Sequence, residues 1–75
     1  MKIFTARPVG SSPFLYTGSA GLLGAGSPQI LAAAQPGQSF GVVSVHAWGY
    51  DWWQVVTGPM TGAGIPYHDP SWDVR

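Results

Sequence analysis

Residues 38–58, QSFGVVSVHAWGYDWWQVVTG, place two runs of β-branched and aromatic side chains on either side of a short Trp-Gly-Tyr-Asp segment. Such side chains fit a pleated, half-buried surface. Gly49 can take a positive φ and Asp51 can bond local backbone, so the segment reads as a turn and the whole stretch as a β-hairpin. Strand side chains alternate between faces. In the first arm Phe40 and Val42 share one face, and Val43, Val45 and Ala47 the other; in the second, Trp53 and Val55 oppose Trp52, Gln54 and Val56. Joining Trp53 and Val55 to Val43 and Val45 builds an inner face. Trp52 then points outward beside Trp48 and Tyr50 at the hairpin tip, and Gly41 marks a bulge or a bend.

Working outward from the hairpin, KIFTA (2–6) reads as a first strand ended by Pro8 and Gly10, and FLYT (14–17) as a second with Phe14 and Tyr16 on one face. The glycine-rich segment 18–28 is an extended loop whose Leu22 and Leu23 tuck under the body. Segment 27–37, SPQILAAAQPG, supports two readings: a short helix capped by Ser27 with Pro28 in its first turn, or a strand over Ile30–Ala34 closed by Pro36-Gly37. Beyond the hairpin lie a turn region (59–64), a short edge strand IPYH (65–68) and an extended tail DPSWDVR (69–75). The 11 glycines and 7 prolines fall between short apolar runs, which is the punctuation of an all-β chain.

Taken in order, FLYTGSAGLLGAGSP (14–28), QILAAAQPGQSFGVVSV (29–45), HAWGYDWWQVVTG (46–58) and TGAGIPYHD (61–69) resemble the bacterial Src-homology-three-like domains. Those domains run from an apolar strand and a Gly/Ser/Pro-rich loop to an aliphatic strand, a valine-rich strand, a tryptophan strand and a closing element. Two departures stand out. Gly64 is followed by Ile65 where the family has an aromatic, and FLYT lacks the family's Asn-Val-Arg signature. The resemblance implies a single small, partly open β-barrel of about five short strands at 14–67. It adds an N-terminal strand or arm at 1–13 and a C-terminal tail at 68–75, and tilts residues 29–35 toward strand. It also implies a module that binds cell-wall peptide or glycan.

Charge is scarce: Lys2, Arg7 and Arg75 against Asp51, Asp69 and Asp73, so 8% of the 75 residues are charged and the net charge is zero. A soluble protein averages about 25%. Three scattered cations make no stripe for phosphates, which argues against nucleic acid as a partner. The longest apolar stretch, broken by glycines and Pro28, falls short of the roughly 20 residues that span a bilayer, so no membrane insertion is expected. Met1-Lys2 reads as a native start, with no apolar run after it to form a secretory signal. Cysteine is absent, which removes disulfide and thiolate-metal staples from a chain whose own core is small.

Catalytic material is thin: two histidines, three aspartates, no glutamate and no cysteine. His46 and Asp51 flank a turn and could meet across it, but two ligands make no metal site. No catalytic, cofactor or metal residues are assigned, and no enzyme is expected. The aromatics are the concentrated chemistry, and Trp48, Tyr50, Trp52, Tyr67 and Trp72 are read as an outward interface set, because large exposed apolar patches mark interaction sites. The expectation is a non-enzymatic structural subunit of a large protein assembly, with a phage virion accessory (capsid decoration, cement or tail component, located in the virion) as the specific case. Its outward aromatics and extended tails would engage other subunits, copies of this chain among them. The alternative is the peptide- or glycan-binding module, in the cytoplasm or at the cell surface.

Overall fold

A computed structural model describes residues 1–17, 29–47 and 49–75. They form seven strands: β1 Phe4–Pro8, β2 Phe14–Tyr16, β3 Ile30–Ala33, β4 Phe40–Ala47, β5 Tyr50–Val55, β6 Gly64–Pro66 and β7 Trp72–Val74. All lie in one antiparallel sheet of order β3-β2-β6-β5-β4-β1-β7. The chain is thus a small all-β protein, and segment 29–35 takes its strand form. The loop reading of segment 18–28 and the placing of Trp48 lie outside the described residues.

The hairpin sets the faces of the sheet. Only two residues separate Ala47 from its partner Tyr50, and Gly49 among them takes φ 77°. This turn aligns Val42 with Val55, Ser44 with Trp53 and Val45 with Trp52. The register corrects the expected inner face: Trp53 and Val55 share a face with Phe40, Val42 and Ser44, whereas Val43 and Val45 share one with Trp52. A change of one residue in the turn moves every side chain of an arm to the other face. Gly41 is no bulge. It pairs with Thr5 in regular register, donates its N–H to Thr57 Oγ1 at 2.8 Å and accepts from the Val56 N–H at 2.8 Å. A Cβ there would lie 2.7 Å from Thr57 Cγ2, so close approach is what requires glycine. The irregular pairing falls instead between Leu15 and Tyr16, where β2 meets β3.

The expected five-stranded barrel with extended tails is overturned. Closure needs a continuous hydrogen-bonded ladder around the circumference. Here β3 and β7 end the sheet, and neither pairs with the other. The supposed C-terminal tail contributes β7, which pairs with β1 from Ala6–Val74 to Pro8–Trp72 and is extended by mutual hydrogen bonds between Thr5 and Arg75. The supposed N-terminal arm contributes β1, held between β4 and β7.

The sheet nonetheless curls. The shortest principal extent of the molecule is 23 Å, about twice the ~10 Å spacing of packed sheets. Leu15 from one end of the strand order and Trp72 from the other share a single core with Ala6, Val42, Val55 and Ile65. Loop 9–13 spans the gap between the ends: Val9 and Gly10 donate to the Ser71 carbonyl, Ser12 donates to Ser71 Oγ, and Ala34 donates to the Pro13 carbonyl. Side-chain and loop contacts therefore do what a closing ladder would have done.

Candidate functional site

Strand alternation puts Tyr50 and Trp52 on the same face of β5, and Trp52 sits opposite Pro66 on β6. One strand further, Tyr16 of β2 pairs with Gly64, and its ring meets the Trp52 ring edge-on at 6.0 Å. The Trp52 indole N–H donates to the Ala47 carbonyl at 3.0 Å, which ties the ring to the base of the hairpin tip. Past β6 the Tyr67 N–H reaches the Asp51 carbonyl at 3.3 Å, and the Tyr67 ring stacks on Trp53 with centroids 4.5 Å apart and planes 11° from parallel. His68 lies edge-on to Tyr67 at 4.9 Å. These elements border an open cleft of about 780 Å³ lined by Tyr16, Tyr50, Trp52, Pro66 and Tyr67 together with Asp51, His68 and Asp69.

The cleft is electrostatically one-sided. Two of the chain's three carboxylates line it, and no lysine or arginine does. Asp51 Oδ1 accepts from His46 Nδ1 at 2.9 Å, and since a carboxylate only accepts, Nδ1 carries the proton. Asp69 Oδ1 accepts the Ser71 N–H at 2.9 Å. The cations belong to the β1–β7 end: Lys2 Nζ lies 4.9 Å above the Phe4 ring, Arg7 pairs across from Asp73, and Arg75 Nε reaches Asp73 at 3.0 Å.

Of the five residues read as an outward interface, the structure divides the four it describes. Tyr50 is 68% exposed and Tyr67 38%. The outward placing of Trp52 and Trp72 is corrected, for each is only 7% exposed. Trp52 is covered in part by Tyr16, and Trp72 packs edge-on against Phe40 at 5.9 Å within the core. Trp53 is the core residue expected, between Phe4 at 5.0 Å and Tyr67. Sequence reading missed Tyr16, Asp51, Asp69 and His68 as neighbours of one cleft. The pairing of β2 with β6 that brings Tyr16 there joins residues almost fifty positions apart, and no local pattern encodes it.

His46 and Asp51 do meet across the turn, as an exposed pair. Among the described residues no three His, Cys, Asp or Glu side chains gather where a metal could sit. No described helix is long and apolar enough to cross a membrane.

A second feature lies at the sheet's edge. Among the described residues no strand pairs with the outer side of β3, and its Ile30 and Leu31 are 57% and 46% exposed. No charged residue occurs in β3.

No family model, curated protein or solved structure matches this chain. The Src-homology-three-like and barrel readings fall with the open sheet, and no relative bears on the virion reading.

Proposed function

We propose that this chain is a non-enzymatic structural subunit that assembles with copies of itself through the outer edge of β3. The observation that carries the reading is the edge itself: a strand free of charge that has no partner on its outer side among the described residues, with Ile30 and Leu31 exposed. Exposed apolar edges invite pairing, and proteins that avoid it place charges there. The opposite edge follows that protective rule, with Asp73 on β7 bound to Arg75 beside it. The β3 edge does not. An antiparallel β3–β3 contact related by a two-fold axis is self-complementary, the commonest geometry for a homodimer. Zero net charge removes the long-range repulsion that would oppose it. Light scattering on the purified chain tests this, with Leu31→Lys as the control. The wild type should run at twice the chain mass or more and the variant as a folded monomer. A wild type that stays monomeric at every concentration contradicts the proposal.

A ligand-binding role is a second reading, favoured by the aromatic cleft that β2, β5 and β6 border.

A further inference from the structure

The cleft contains more aromatic surface than packing requires. Trp52 and Trp53 are buried and explained by the fold, but Tyr50 is two-thirds exposed and lies outside the core, and Tyr67 keeps over a third of its surface open after stacking on Trp53. Both border a concavity large enough for a small organic group. What that group should be follows from charge. A ring presents a negative π face to cations. Here the residues that line the cleft include two of the chain's three aspartates and one histidine, His68, and neither lysine nor arginine. The hydrogen bonds from His46 and from the Ser71 amide each use the Oδ1 atom, holding both carboxylates in place. A neutral sugar would gain little from paired negative charge, and the Trp52 N–H that could have read a hydroxyl is already committed to Ala47. An anion would be repelled.

We infer that this cleft binds an N-methylated ammonium group, with Tyr50, Tyr67 and Tyr16 supplying ring surface and Asp51 and Asp69 the opposing charge. Methylated ammonium suits the site better than a bare one, because its weakly hydrated methyl shell can be buried against rings and Pro66 without leaving N–H donors unpartnered. No residue of β3 lines the cleft, although Tyr16 pairs with Ile30 there, and the titration below reads the cleft separately from self-assembly.

The test is an amide-resolved NMR titration with choline, with its neutral carbon isostere, in which carbon replaces the quaternary nitrogen, with a trimethyl-lysine peptide and with a methyl glucoside. Choline should shift the amides of Tyr50, Asp51, Tyr67 and His68 and bind about tenfold more tightly than the isostere. Tyr50→Leu, at an exposed position, and Asp51→Asn should each weaken choline by a similar factor without altering the rest of the spectrum. A peptide that binds more tightly than choline assigns the group to a protein partner; choline equal or tighter assigns it to a free small molecule. Equal binding of choline and the isostere, shifts with the glucoside but not with choline, or undiminished affinity in both variants overturns the inference.

Discussion

Trp52→Ala separates two pictures of the hairpin. An outward Trp52 at the tip would cost almost nothing to truncate, since surface substitutions stay within about 0.5 kcal/mol. The structure buries it to 7% exposure against Tyr16 and bonds its indole N–H to the Ala47 carbonyl. Truncating a buried tryptophan costs about 3–5 kcal/mol, and the lost hydrogen bond is part of that figure. A chain of this size has a total stability of roughly 4–11 kcal/mol, from about 0.05–0.15 kcal/mol per residue. The substitution therefore removes a large fraction of the stability and in the lower part of that range unfolds the protein. With an m-value of about 1 kcal/mol/M for a small domain in urea, the midpoint should fall by about 3 M or more. Trp53→Ala, on the other face of the same strand, should cost a comparable amount. Urea titrations of the three proteins followed by circular dichroism give the answer. A Trp52→Ala midpoint close to wild type, beside a collapsed Trp53→Ala, would refute the burial of both faces.

Gly41→Ala should destabilise by about 1–3 kcal/mol through its clash with Thr57 Cγ2, and Thr57→Ser, which deletes that methyl but keeps the hydroxyl bonded to the Gly41 N–H, should recover most of the loss in thermal melts. Ending the chain before Trp72 removes β7 and a core ring, so the truncated protein should lose cooperative unfolding in calorimetry; a dispensable tail would leave Tm unchanged. Ser71→Ala deprives the Ser12 N–H of its acceptor across the sheet ends, and should lower stability by about 1 kcal/mol and speed hydrogen exchange at Ser12.

The sequence makes its local features legible. Val42, Val43 and Val45 with Trp53 and Val55 mark the central hairpin, Gly49 its turn, and the spread of glycine and proline the all-β class. Burial of Trp53 follows from the same alternation. What fails is whatever depends on long-range pairing. The expected union of Trp53 and Val55 with Val43 and Val45 needs a connection of odd length, whereas the two-residue connection from Ala47 to Tyr50 sets Trp53 opposite Ser44; one residue is enough to exchange the partners of Trp53. The segment DPSWDVR looks like a tail because it is short and begins with Asp-Pro; it becomes a strand because β1 offers it an unpaired edge and Phe40 a ring to pack against. Of the cleft, Tyr50 and Tyr67 were visible as surface aromatics. Asp51 reads as a turn residue and Asp69 as part of the tail; the structure puts Asp51 in β5, bonded to His46, and Asp69 ahead of β7, accepting the Ser71 N–H. Their common position beside the rings is created by β5–β6 and β2–β6 pairing.

Self-assembly through the β3 edge is most directly tested by the mass of the chain in solution, measured by light scattering across a dilution series beside Leu31→Lys. The proposal predicts a wild type at twice the monomer mass or above that dissociates on dilution, and a variant that is monomeric with an unchanged circular dichroism spectrum. A folded wild-type monomer throughout the series, or a Leu31→Lys protein that associates like the wild type, would contradict it.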